Sequence, residues 1–287
     1  MNSVNDDSLI AINQAFKESS LKQMYHNASQ LRKKSFLIWQ LVKVDVSSTY
    51  KRSFIGLSWM VITPLLAVVA WVLLQGAGIM APGDTAIPYP AYVLLSTSIW
   101  SFFVGAYQAS SRVLVESGRL MITIRFPHVV LIAEKVLVHT ISFVIPFAIN
   151  ILVLVLYGVP FTIWSILFPL TLIPLLCIGV GLGLLVALMR VVAVDLAMLM
   201  DKIIGFLMFL TPIIYAPKVS LPILAKIVSF NPLTYLIGFS RDLLTAGTFF
   251  APTIYLWVSI GSVLFLVFGF WAFTKFERKL VERMINL

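Results

Sequence analysis

The chain has 287 residues, of which 60% are hydrophobic and only 11% charged, with a net charge of +9. A soluble globular domain is roughly half apolar and a quarter charged, so this composition excludes one and points to an integral membrane protein. Once several stretches are long enough to cross a bilayer, which takes about 20 apolar residues as helix, length no longer argues for two domains.

The first 20 residues, "MNSVNDDSLIAINQAFKESS", lack the basic start and apolar core of a secretory signal, so they are expected to stay in the cytoplasm uncleaved. Residues 1–30 are read as a polar N-terminal extension and 31–287 as one membrane domain. Over 29–50, Leu31, Ile38, Trp39, Val42 and Val46 recur at helical spacing while Lys33, Gln40 and Lys43 face elsewhere. That pattern predicts an amphipathic helix in the membrane interface, although Phe36, Leu37 and Val44 fall off the stripe.

Apolar runs then predict six transmembrane helices, at about 55–80, 91–108, 137–157, 163–189, 196–216 and 254–273. The fifth is the least regular, with Asp201 and Lys202 near its start and Pro212 near its end. Uninterrupted runs, rather than alternating ones, favour an all-α protein over a membrane β-barrel. Between spans two and three, residues 110–135 carry Arg112, Glu116, Arg119 and Arg125 before Pro127, which suits a short cytoplasmic helix that docks a partner. Residues 217–252 are too apolar for a solvated loop and too broken by Pro222 and Pro232 for a full span. They predict paired re-entrant or interfacial helices on the outer side.

Six spans place both termini together, and every Lys and Arg except Lys218, Lys226 and Arg241 falls on their side. By the positive-inside rule both termini are cytoplasmic, and the positive charge reports topology rather than nucleic-acid binding.

Few residues suggest chemistry. Cys177 lies within the fourth span and reads as packing, and His26, His128 and His139 form no metal-binding pattern. His139 lies about one turn from Glu134 and Lys135 and is expected in a polar cluster with them. Gly179, Gly181 and Gly183 fit close helix packing better than a dinucleotide loop, because they sit inside an apolar span. No G-x-x-x-x-G-K-[ST] occurs, so any ATP used must be bound by another polypeptide. Asp84, Asp195, Asp201 and Asp242 are dispersed, which argues against a membrane enzyme acting on lipid-linked sugars.

The stretch "STYKRSFIGLSWMVITPLL" has a basic, aromatic-containing approach to a "G-x-x-W-x-x-x-x-P" pattern at Gly56, Trp59 and Pro64. With "ITIRFPHVV", "LTPIIYAP" and "NPLTYLIGFSRDLL" following in order, the chain resembles the permease subunits of type-2 ABC exporters of polysaccharide over about residues 30–285. O-antigen permeases are the most similar, with capsule and teichoic-acid permeases and exporters of a drug or small lipid as alternatives. The resemblance implies a homodimer in the bacterial inner membrane, joined to two P-loop ATPase subunits that bind ATP and Mg. It implies that an undecaprenyl-linked polysaccharide crosses among membrane lipids, with no cofactor and no covalent chemistry in this chain.

Under that resemblance the loop holding Arg112, Glu116, Arg119 and Arg125 becomes the coupling helix to the ATPase, with a merely solvated basic loop as the alternative. Tyr50, Lys51 and Arg52 either anchor the first span or receive the lipid pyrophosphate at headgroup depth. Trp100, Phe103 and Tyr107 at i, i+3 and i+7, and Phe206 and Phe209 at i and i+3, either line a glycan channel or serve ordinary packing and interfacial anchoring.

Overall fold

A computed structural model describes residues 20–51, 56–81, 83–116, 128–218 and 220–285. Among these the regular structure is helical, with no strand. Three helical stretches, His128–Leu156, Ile163–Val192 and Pro252–Phe276, are long and apolar enough to cross a membrane, and a bent pair later in the chain makes a fourth if counted as one span.

Helix α1 (Ser20–Lys33) begins inside the expected extension and is separated from α2 (Ser35–Lys51) by a turn at Lys34. The predicted stripe is partly realised. Ile38 and Val42 bury against Val130, with Leu31 and Val46 packed beside them, whereas Trp39 points outward.

Helix α3 (Gly56–Gly76) ends in a Schellman motif: Gly78 adopts φ 69° and donates to Gln75 O, while Ile79 N–H bonds Leu74 O. Gly158 closes a later helix in the same way, at φ 68°, with Val159 N–H on Leu154 O. Only glycine takes this left-handed turn without steric penalty, so the first helix stops at Gly76 although its apolar run extends to about 80, and the second stops at Leu156, where its own run ends.

Helix α4 (Tyr89–Ser111) is the central element, with most of its residues buried, and α5 (Val113–Glu116) is one further turn. The third apolar run forms α6 (His128–Ser142) and α7 (Val144–Leu156), broken at Phe143. Pro146 explains the break, since its ring removes a donor and clashes with the carbonyl four residues earlier, at Ser142. The fourth run has a 3-10 turn at Ile163–Leu167, α8 (Phe168–Thr171) and α9 (Ile173–Val192), interrupted around Pro169 and Pro174.

Helix α10 (Val194–Leu207) has 14 residues, and 208–215 are turns and bends, so the expected helix over 196–216 stops early. Helices α11 (Pro222–Phe230) and α12 (Pro232–Thr245) meet at 78° at Asn231, in agreement with the broken outer segment, and α13 (Pro252–Ile285) completes the chain.

Small residues set the depth of packing. A Cβ on Gly179 would lie 2.9 Å from Phe103 O, and one on Gly183 would lie 2.5 Å from Tyr107 O. One on Gly181 would meet the Leu266 backbone, and one on Gly269 would meet Gly181 O at 2.6 Å. The glycine run therefore lets α9 seat against α4 on one side and α13 on the other, as its position within an apolar span suggests. The pairs Phe103 with Gly179 and Tyr107 with Gly183 make α4 and α9 run in one direction, and α13 follows it, since Tyr255 meets Thr171 while Phe276 lies by Val192. Helices α6 and α7 oppose them, because His139 meets Phe102 while Asn150 meets Ser98.

Replacing Gly183 by valine is expected to lower the melting temperature in detergent, with an overpacking cost of about 1–3 kcal/mol. Gly205→Ala, where nothing lies within 4 Å of the added atom, is expected to leave it unchanged or raise it.

Candidate functional site

Residues 208–216 are non-helical yet largely buried, with Thr211, Ile213, Ile214 and Ala216 among the most enclosed. Irregular backbone at membrane depth is tolerated only when protein groups satisfy it. Here they do. Tyr89 hydroxyl donates to Ile214 O at 3.0 Å, and Tyr92 hydroxyl donates to Tyr215 O at 2.9 Å. Asn231 Nδ2 donates to Thr211 Oγ1 at 2.8 Å and to Leu210 O at 3.3 Å, while its Oδ1 accepts from Leu233 N–H and caps α12.

Arg241 closes this arrangement from α12. Its side chain is 4% exposed, and Nη1 donates to Tyr92 Oη at 2.8 Å, Pro212 O at 3.3 Å and Ser96 Oγ at 3.4 Å. The guanidinium also stacks 4.4 Å from the Tyr92 ring centre, and Nε pairs with Asp242 at 3.1 Å. A buried charge needs such a set of partners to be tolerated. Sequence reading placed Arg241 only as an outer-side basic residue. The signal that singles it out is a lone arginine within an apolar stretch, which requires a partner.

Beneath the turn lies a cavity of about 560 Å3, walled by Phe103, Ile178, Leu182, Leu207, Leu210 and Phe230 among others. Lys226 and Asn231 bring the polar atoms, and those of Asn231 are already committed. The wall is therefore apolar over most of its surface. A second groove of about 380 Å3 opens beside the α6–α7 break and is faced by Phe102, Phe143, Phe147 and Phe168, the last two stacked at 4.9 Å.

At the opposite end of α4, Tyr107 hydroxyl donates to Asp201 Oδ1 at 2.6 Å. Arg190 Nη2 reaches the two Asp201 oxygens at 2.9 and 3.0 Å, while its Nε donates to Ser111 O at 3.2 Å. Three elements, α4, α9 and α10, thus meet in one polar cluster.

The expected aromatic walls separate into two cases. Trp100, Phe103 and Tyr107 are buried within the chain, so the stripe does not form an exposed wall; Phe103 alone among them lines the large cavity. Shared spacing put them on one face, but that face meets α9 and α10. Phe206 and Phe209, by contrast, are 61% and 49% exposed, with ring centres 6.4 Å apart.

The polar cluster expected around His139 also differs. Lys135 pairs with Asp45 of α2 at 2.7 Å and approaches Glu134 at 3.7 Å, whereas His139 lies over Gly105 and donates from Nε2 to Phe102 O at 2.9 Å. Sequence proximity could not supply Asp45, which arrives from a helix 90 residues earlier.

Arg112 caps α4 and is exposed, as is Glu116, while Val113 and Leu114 root the segment in the core. Arg119 and Arg125 lie outside the described residues, as does Arg52. Tyr50 and Lys51 fall at the end of α2, with their side chains outside the description. Among the described residues, no group of three His, Cys, Asp or Glu side chains is arranged to hold a metal.

The fold defines a multi-pass helical membrane protein. Two curated relatives are each named O-antigen export system permease protein RfbA. The one from Klebsiella pneumoniae is 23% identical over 248 residues, covering 86% of this chain and 94% of its own. The one from Myxococcus xanthus is 25% identical over 179 residues, covering 62% and 68% respectively. No family model matches the chain. The resemblance to export permeases drawn from the motifs is therefore shared by named relatives.

Arg241→Met is expected to lower thermal stability in detergent by roughly 1–3 kcal/mol for each buried acceptor left unsatisfied. Tyr92→Phe should show a smaller loss. An Arg241→Met protein that melts like the wild type would show that the turn does not depend on this residue.

Proposed function

We propose that this chain is the transmembrane subunit of an ATP-driven exporter that moves a lipid-linked polysaccharide, O-antigen in particular, across the bacterial inner membrane. The observation that carries this reading is similarity along 86% of the chain to a relative named as an O-antigen export permease. The packed apolar helices of a permease and the ordered motifs support it.

In this reading six spans cross the membrane with both termini in the cytoplasm, and two copies of the chain form the path. Helices α3, α4 and the α10 segment with its turn complete the count alongside the three long apolar stretches. The sequence has no P-loop, so two partner subunits bind ATP and Mg and deliver their motion through the segment from Arg112 to Arg125. Val113 and Leu114 give that segment a buried root, while Arg112 and Glu116 present opposite charges outward.

The cargo enters beside the first span, where Tyr50, Lys51 and Arg52 offer a hydroxyl, an ammonium and a guanidinium fork to the pyrophosphate. Phe206 and Phe209 are the aromatic faces placed to meet sugar C–H surfaces, since both are exposed. No bond is made or broken in this chain.

Purification in mild detergent, with mass spectrometry of the associated components, tests the reading directly. Co-purification of a P-loop ATPase in equal amount with retained lipid-linked glycan is expected. Recovery without an ATPase, even after crosslinking, would overturn it. Glu116→Lys is expected to weaken ATPase association about tenfold, a change of about 1.4 kcal/mol, as read by quantitative pull-down. Lys51→Gln with Arg52→Gln should reduce export while membrane insertion stays normal, and undiminished surface glycan would remove the pyrophosphate role.

A further inference from the structure

We infer that Tyr107, Asp201 and Arg190 form a mechanical joint that carries motion from the coupling segment to α10, and thereby regulates the cavity beneath the outer turn. The inference rests on the proposed function for the source of that motion, but its residues and geometry stand independently. They are positioning residues, acting through helices rather than on cargo.

The attachment of α10 is the first reason. Of its residues only Ala197 and Ile204 are buried, while Leu196, Met198, Leu199, Ile203 and Phe206 are exposed. It packs chiefly on α9, to which it is joined through Ala193, a non-helical residue at φ −146° and ψ 88°. Such a helix is free to pivot at Ala193 unless another element holds it. The hydrogen bond from Tyr107 to Asp201, at 2.6 Å, is its side-chain tie to α4, and Arg190 clamps the same carboxylate from α9. Charge-assisted bonds of this length are the stronger and more directional kind.

Chain continuity is the second reason. Arg190 Nε also holds Ser111 O, the last residue of α4, and the next residue is Arg112 at the root of the coupling segment. A displacement of that segment therefore reaches Tyr107 and Ser111 first, and the Asp201 carboxylate is where it passes to α10.

The far end of α10 supplies the output. Leu207 lies six residues beyond Asp201, about 9 Å along the helix axis. Leu207 and Leu210 face Phe103 across the 560 Å3 cavity, and the exposed Phe206 and Phe209 belong to the same run. A rotation of α10 about Ala193 moves Leu207 and changes the cavity width directly, while Phe103 on the opposite wall keeps its seat against Gly179.

The test uses the full complex with its ATPase in proteoliposomes, in a Cys177→Ala background that carries an environment-sensitive fluorophore on Leu199→Cys. Leu199 is exposed on α10. Two quantities are read: the nucleotide-dependent change in fluorescence, and the glycan moved per ATP hydrolysed. In Tyr107→Phe, which keeps the ion pair and removes one hydroxyl, the fluorescence change is expected to shrink and the transport ratio to fall about fivefold, with an unchanged melting temperature. Asp201→Asn should lower the ratio at least about tenfold, and Arg190→Lys should restore less than the wild-type value because it lacks the guanidinium fork.

A full fluorescence change and wild-type ratio in Tyr107→Phe would overturn the joint, even if Asp201→Asn fails to assemble. A wild-type complex whose probe does not respond to nucleotide would overturn it as well. A wild-type complex that hydrolyses ATP without moving glycan, yet shows a probe response abolished by Tyr107→Phe, would refute the cargo while supporting the joint.

Discussion

The structure depends on satisfying the carbonyl groups of one non-helical turn, 208–216, set among apolar helices. Each unpaired backbone group in such surroundings is costly, so the turn exists only because Tyr89, Tyr92, Asn231 and Arg241 supply donors from two other helices. These bonds fix more than the turn. Asn231 simultaneously caps α12 and sits at its bend from α11, so the bend and the turn after α10 share the same polar side chain.

Packing then divides the helices into a fixed group and a loosely held one. The glycines of α9 bring α4 and α13 to backbone contact, where side chains on neither partner can give way without repacking. Helix α10 lacks such an interface and is held through polar contacts at its middle and through the turn after its end. Close and sparse packing thus follow from residue size and bond placement, within helices of similar hydrophobicity.

Much of this architecture was legible in the sequence, for identifiable reasons. The run "CIGVGLGLL" announced close packing because three glycines in an apolar span have little other use, and Pro222 and Pro232 announced a segment broken into paired helices. The early end of α10 was legible only in part: Pro212, whose ring clashes with the carbonyl four residues earlier at Met208, marks the run as irregular, but residues 208–216 remain as apolar as a helix would be. The stripe of Trp100, Phe103 and Tyr107 shows a related limit: periodicity says which residues share a face but not what that face meets. The bond between Tyr107 and Asp201 joins positions 94 apart, beyond the reach of local pattern. In the segment after α4, Arg112 and Glu116 are exposed, while Arg119 and Arg125 lie outside the described residues.

The contact between Arg241 and Tyr92 spans 149 residues, and this separation has a consequence for biosynthesis. The early helices are synthesised before the guanidinium that completes their polar network has been made. Until α12 is synthesised, the carbonyl of Pro212 lacks its arginine donor, and Tyr92 lacks the cation that stacks on its ring. The nascent chain therefore carries an unfinished polar surface through most of its translation. The network is complete only once α12 docks against α4, so a chain cut before α12 leaves the Pro212 carbonyl with the Tyr92 hydroxyl as its side-chain donor among the described residues.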